Sequence, residues 1–220
     1  MTASSKSMSD YNPEKAFIFR IAHIDCVPWI LRHGIQCRSS KLQDPKFVNI
    51  GSESLIAKRA TFKVPIAPHG TLSDYVPFYF TPFSIMMYNI HTGHGGIRQR
   101  TNDEIVIFVS SLHKLAKQGI PFLFTDQHAY AAGTDYYDNL ENLKQIDWSL
   151  LQSRNFRTDD ADPGKQLRYQ AEALVHRMVP VNALIGVACH SEATRKMLSG
   201  LVTQAGATLD VKVLPNWYFR

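Results

Sequence analysis

EIVIFVSSLHKLAKQGIPFLFTD, residues 104–126, is the stretch whose reading decides the fold. Glu104–Ser110 holds an unbroken apolar, mostly β-branched run at 105–109, the mark of a buried strand. Ser111–Gly119 carries apolar residues at helical spacing and stops at a glycine, so a short helix is expected there. Pro121–Asp126 is a second apolar strand. The pattern of short strands with short helices recurs on both sides. Upstream, 17–24 (FIFRIAHI) reads as a strand broken at His23, and 26–34 as a helix with Asp25 as cap, Pro28 in its first turn and Gly34 at its end. A polar loop follows at 38–49, a short helix at 52–59, a turn at 65–70 and an aromatic strand at 72–80. Downstream, 147–155 is helix-like and 157–166 a polar Pro/Gly loop. Residues 168–177 begin as strand or helix, 184–188 as strand, 192–201 as helix and 209–214 as strand. Such a sequence of elements predicts an α+β fold with a curved or split antiparallel sheet.

The chain has 220 residues, 45% of them hydrophobic, enough for one substantial core. Residues 1–12 read as a polar lead-in, and 13–220 as one domain. The formal net charge of +5 favours an anionic partner, although many ordinary enzymes share it. Three cysteines, Cys26, Cys37 and Cys189, show no ligand-like spacing, so neither a disulfide scaffold nor a zinc site is expected and a cytoplasmic setting fits. No apolar run approaches the ~18 residues of a spanning helix, so no membrane contact is expected. There is no Walker A motif and no GxGxxG after a strand, which removes P-loop and Rossmann chemistry.

Five places hold residues suited to chemistry. His23, at a strand end, can bond a ribose hydroxyl or a phosphate; taken alone it reads equally as a core histidine. Arg59, in Ile56–Ala60, can clamp a phosphate or polarise a base carbonyl, or be an exposed helix charge. In Tyr75–Phe80 alternation sets Tyr75 and Tyr79 on one face, for stacking, and Phe78 and Phe80 on the other. Pro77 suggests an edge strand or a bulge. His91, His94 and three glycines form a loop followed by Arg98 and Arg100; two histidines without a carboxylate or cysteine nearby make a poor metal site, and a basic loop on a phosphate backbone fits better. His128 follows the second strand. Glu172, among Ala171, Ala173 and Leu174 just after a polar loop, is a carboxylate placed where desolvation would tune it, though bare it is only one more glutamate.

Taken together, FRIAHIDCVPWILRHG, VNIGSESLIAKRA, GTLSDYVPFYFTPFS, NIHTGHGGI, EIVIFVS, PFLFTDQHAY and RYQAEALV, in this order and spacing over residues 13–220, resemble the DarT family of NAD-dependent DNA ADP-ribosyltransferase toxins. The resemblance implies an ADP-ribosyltransferase-like fold, a split antiparallel β-sandwich with short helices that clamps NAD. It implies NAD as substrate, no metal, single-stranded DNA as acceptor and a macrodomain antitoxin as partner. Glu172 falls on the family's catalytic glutamate, Arg59 on its active-site arginine, His23 on its NAD-binding histidine, and 157–168 on the end of its acceptor loop. One departure is Cys26, where members often carry Asn. A thiol cannot replace a two-donor amide, so Cys26 is left out of the expected site and some local rearrangement is expected.

These assignments imply a mechanism. Cleavage of NAD at the nicotinamide ribose passes through an oxocarbenium-like state. Glu172 would hold the ribose 2′-hydroxyl and stabilise that charge. His23, the backbone near Gly34 and Gly51, and Arg59, Tyr75 and Tyr79 would bind NAD. Met86, His91, Arg98, Arg100, His128, Lys165 and Arg168 would meet the nucleic acid. The expected acceptor is a ring nitrogen of thymine, hidden in a duplex and free in a single strand, and its modification would block replication. A monomer is expected. The alternatives are an RNA or protein acceptor, or a non-catalytic nucleic-acid-binding module.

Overall fold

In the computed structural model the described residues are 11–220. The strands among them are β1 (Phe17–His23), β2 (Ile35–Gln36), β3 (Tyr75–Tyr79), β4 (Ile105–Ser111), β5 (Phe122–Thr125), β6 (Tyr136–Tyr137), β7 (Glu172–His176), β8 (Met178–Val179), β9 (Gly186–Cys189) and β10 (Asp210–Val213). Between them run α1 (Val27–His33), α2 (Glu53–Thr61), α3 (Ile85–Thr92), α4 (Leu112–Lys117), α5 (Trp148–Ser153), α6 (Lys165–Arg168) and α7 (Glu192–Gln204). Most of the lead-in lies outside the described residues. Its last two, Tyr11 and Asn12, are buried, with Tyr11 edge-on to Phe19, so the packed domain reaches back past the expected boundary.

Eight strands form one sheet in the order β10-β9-β4-β1-β3-β7-β5-β6, and β2 pairs with β8 apart from it. The expected α+β architecture with a mostly antiparallel, split sheet is what forms. One ladder departs from it: β10 runs parallel to β9, because helix α7 carries the chain back between them.

The split lies between β1 and β3. β1 pairs along its whole length with β4, and β3 with β7, yet β1 and β3 share a single register pair, Phe19 with Tyr79. Proline does not mark an edge strand here, contrary to expectation. Pro77 lies in the interior of the sheet, and lacking an N–H it can sit where the ladder has lapsed.

Why 105–111 reads as continuously apolar follows from the packing. Val106 and Phe108 enter one core together with Ile18, Phe78, Phe124 and Val175, while Ile105 and Ile107 enter a second with Phe19, Ile21 and Tyr218. Both faces of the strand are covered, so alternation is lost. The other half of the sheet has its own second core, Tyr75, Leu123 and Leu174 with Val64 and Leu72. One core thus underlies both halves, and on the opposite face two separate cores leave a gap between them.

Capping sets the helices. Ser52, Ser111 and Asp147 accept backbone N–H groups at the starts of α2, α4 and α5. At the first helical segment the cap is not Asp25 but His23, whose Nδ1 accepts from the Asp25 N–H at 3.2 Å and starts a 3-10 turn that leads into α1. Gly34 ends α1 at φ +72°, and a Cβ there would stand 2.5 Å from the Val179 carbonyl.

Candidate active site

The gap between the two upper cores is the mouth of an open cleft lined from β1, α1, α2, β3 and β7. Glu172 opens β7. Its neighbour Ala173 points into the shared core, so the carboxylate faces the cleft, and it is only 2% exposed. Its backbone N–H donates to Thr125 Oγ1 at 3.1 Å, and that hydroxyl donates to the Gln127 carbonyl at 2.6 Å, which locks the strand end to the turn after β5. The same turn brings the Ala129 N–H to Glu172 Oε1 at 3.0 Å.

Arg59 reaches in from α2. Its Nη1 donates to both carboxylate oxygens of Glu172, at 2.8 and 3.2 Å, and its Nη2 is buried without a partner. Three hydrogen bonds from two donor groups thus occupy a carboxylate that offers about four acceptor directions, leaving room for one more hydroxyl. His128 Nδ1 lies 3.9 Å from Oε1 but accepts from the Tyr130 N–H, so its ring is held by the turn rather than by the acid. The Tyr79 hydroxyl donates weakly to Met86 Sδ at 3.8 Å. Burial, and then the Glu172 charge, push its pKa well above the ordinary phenol value, so it stays a protonated donor.

At the other end His23 is 5% exposed. With Nδ1 accepting from the Asp25 N–H, the proton belongs on Nε2, and that buried nitrogen makes no hydrogen bond, the Glu104 carboxylate standing 3.7 Å away. The Trp29 Nε1 and one Asp44 oxygen are likewise buried and unpaired in the wall. Buried polar atoms are rarely left unsatisfied in a native protein. A polar ligand that accepts from His23, Arg59 and Trp29 and donates to Asp44 would complete them, and a dinucleotide carries both kinds of group.

The cleft gathers His23, Gly34, Gly51, Arg59, Tyr75, Tyr79, Met86, His128 and Glu172, nine of the residues picked out from the sequence. Tyr75 and Tyr79 do share one face, although the Tyr75 hydroxyl is taken by the His69 carbonyl. His91, Arg98, Arg100, Lys165 and Arg168 are not brought there. Arg100 is bound to Glu104 at 3.0 Å, Arg168 to Asp162 at 2.6 and 3.0 Å, and Lys165 stands 3.7 Å from Asp159. Arg98 is exposed and pairs with no described residue. Cys26, left out of the expected site, lines the cleft, its sulfur accepting from the Val48 N–H. Sequence reasoning also missed Arg20, whose one signal was a charge inside an apolar strand, and the Ala129 amide, which had no signal at all. Among the described residues no group of three or more His, Cys, Asp or Glu could hold a metal.

Residues 19–219 match the family model described as ssDNA thymidine ADP-ribosyltransferase, DarT. A DNA ADP-ribosyl transferase of Escherichia coli O127:H6 is 51% identical over 208 residues, covering 94% of this chain and 95% of the relative. The structure of Thermus sp. 2.9 DarT in complex with ADP-ribosylated ssDNA matches with a TM-score of 0.87 at 32% identity, over 94% of this chain and 98% of that one. The NAD⁺ complex of the same Thermus protein matches at 0.84 and 31%, over 94% and 99%. With a cleft fitted to a dinucleotide and a buried carboxylate at its end, the chain belongs to the DarT family and is an NAD-dependent DNA ADP-ribosyltransferase.

Proposed function

We propose that this enzyme transfers ADP-ribose to a thymine ring nitrogen of single-stranded DNA, and that it is the toxin of a toxin–antitoxin pair, blocking replication in the cytoplasm. The observation that carries this reading is the buried Glu172 carboxylate, held by Arg59 and the Ala129 amide within one cleft that also holds His23 Nε2, which makes no hydrogen bond. NAD supplies a glycosidic bond whose scission leaves positive charge on the ribose. Glu172 takes the 2′-hydroxyl on its remaining acceptor direction and stabilises that charge. The bond from C1′ to nicotinamide breaks with its electron pair on the leaving ring, and a bond from C1′ to the thymine nitrogen forms. The proton lost by that nitrogen is drawn off with help from Glu172, while Arg59 stabilises the base anion. His23 and the backbone at Gly34 and Gly51 anchor the rest of NAD; Tyr79 offers a ring face, while Tyr75, 1% exposed within its core, backs the wall rather than stacking on the ligand.

Met86 and His128 lie in the cleft wall beside the acceptor position in this scheme. Arg98 is the most available phosphate contact. Arg100, Lys165 and Arg168 would have to exchange a carboxylate for a phosphate, and His91 contributes as part of the same basic loop. In this reading the enzyme acts as a monomer. A macrodomain antitoxin rests on the family resemblance. The test is mass spectrometry of short single strands, each lacking one base, after incubation with NAD. An added ADP-ribose on every thymine-containing strand and on no other is expected; a shift on thymine-free DNA moves the acceptor elsewhere, and labelling only of RNA or protein rejects DNA. Adding a macrodomain should then remove the group.

A further inference from the structure

One of the three hydrogen bonds on Glu172 comes from a backbone N–H, that of Ala129, in the turn between β5 and β6. A backbone donor has no side chain to steer it, so its aim is set by whatever holds the peptide. The Ala129 N–H belongs to the same peptide unit as the His128 carbonyl, and in a trans peptide, as this one is, the two point in opposite directions. Behind that unit the Thr134 hydroxyl donates to the His128 carbonyl at 2.9 Å, sharing its proton with the Ala131 carbonyl. The His128 carbonyl also accepts the Ala131 N–H at 2.8 Å. The next peptide is held as well, since the Tyr136 hydroxyl donates to the Ala129 carbonyl. Tyr136 is itself placed by pairing with Thr125 across the β5–β6 ladder, and Thr125 accepts the Glu172 N–H. Burial, and then the Glu172 charge, push the Tyr136 pKa well above the ordinary phenol value, so the hydroxyl keeps its proton. Neither Thr134 nor Tyr136 lines the cleft, so neither acts by touching NAD there.

We infer that Thr134 and Tyr136 are positioning residues for the catalytic carboxylate: by gripping the carbonyls of His128 and Ala129 they aim the Ala129 N–H at Glu172 Oε1. The inference rests on the role given to Glu172 above. A hydroxyl bonded to the His128 carbonyl also polarises the peptide it belongs to, so the N–H at the far side donates more strongly. With Oε1 held by the amide and both oxygens by Arg59, the carboxylate keeps one orientation and turns its free acceptor direction to the ribose hydroxyl. Without the grip the peptide can rotate and the carboxylate loses a bond. The ribose hydroxyl then meets it in several orientations rather than one, which costs rate more than NAD binding.

The test uses the full chain with Thr134→Val and Tyr136→Phe, which remove a hydroxyl at nearly constant shape, and Thr134→Ser, which keeps one. Each is made in wild-type and in Glu172→Gln protein, and nicotinamide release is followed with NAD and a thymine-containing single strand. Thr134→Val and Tyr136→Phe should each lower kcat about tenfold, the weight of one hydrogen bond to a charged group, with the KM for NAD within about twofold of wild type. Thr134→Ser should keep kcat within about threefold of wild type, because the bond it makes is retained. In Glu172→Gln protein the same changes should cost no more than about twofold, since the group they act through is gone. The two hydroxyl deletions are independent, so if one variant fails to fold the other decides. An unchanged kcat, a KM that rises while kcat holds, or a Thr134→Ser loss as deep as that of Thr134→Val overturns the assignment. So does an equal loss in the Glu172→Gln background, which is what a merely structural pair would give. If Glu172→Gln keeps full turnover, the role given to Glu172 fails and takes this one with it. If Glu172→Gln is slow while the hydroxyl variants turn over normally, Glu172 stands and the positioning pair falls.

Discussion

Replacing Glu172 by glutamine preserves the shape of the side chain and deletes one charge, so its effect on rate can be worked from the site. A full carboxylate charge about 4 Å from the ribose cation, at an effective dielectric constant of about 20, contributes roughly 4 kcal/mol. At about 1.4 kcal/mol per decade, the expected loss in transfer rate is about 10³-fold. The same change strands Arg59, because the Nη1 group that binds both oxygens then meets a neutral amide. Side-chain exposures of 12% and 3% make this a buried pair, and removing one partner of such a pair costs about 3–5 kcal/mol. At roughly 2–4 °C per kcal/mol for a domain of this size, the midpoint should fall by about 6–20 °C. Nicotinamide release and oligonucleotide mass shift should be followed well below the lowered midpoint, with NAD binding measured on the same sample. A rate within tenfold of wild type from folded Glu172→Gln protein would refute the electrostatic role.

Three further outcomes follow from other parts of the molecule. Glu104 accepts the Thr101 N–H and the Arg100 guanidinium, and these, led by the backbone bond, lower its pKa from 4.5 to about 2. A depressed folded pKa gives stability that is complete above pH 4.5 and lost as the pH falls towards 2; the melting difference between wild type and Glu104→Gln should therefore be full at pH 6 and shrink through that window. Gly34→Ala places a Cβ against the Val179 carbonyl at positive φ and should cost about 1–3 kcal/mol, read as a lowered denaturation midpoint. Arg98→Ala should reduce the slope of log affinity for single-stranded DNA against log salt by about 0.7, and an unchanged slope removes Arg98 from the phosphate contacts.

Much of this was legible because local chemistry and tertiary position agreed. The run at 105–109 declared a strand covered on both faces, and Ser52, Ser111 and Asp147 behaved as the caps their type favours. Glu172, Arg59 and His23 could be placed through motif order, although each was unremarkable alone. What escaped depended on partners distant in sequence. Pro77 looked like an edge residue because only the fold reveals that the neighbouring ladder has lapsed beside it. Arg100 and Arg168 looked free because their carboxylate partners are fixed by loop geometry. The parallel pairing of β10 depends on where α7 delivers the chain, and backbone donors such as Ala129 carry no residue-type signal.

The lapse between β1 and β3 also bears on how the protein opens. Every other neighbouring pair in the large sheet shares at least two register positions, whereas here β1 and β3 share one, Phe19 with Tyr79, supplemented by the bond from the Arg20 guanidinium to the Pro77 carbonyl. The seam runs alongside the cleft, so a parting there, over the shared core beneath it, is the expected way for the cleft to widen with both ladders intact. In amide hydrogen exchange the β1–β4 and β3–β7 ladders should then protect as two cooperative units, with the seam amides exchanging first and slowing when NAD fills the cleft. Proline, usually counted as a defect in a sheet, here acts as the crease along which a grip can flex.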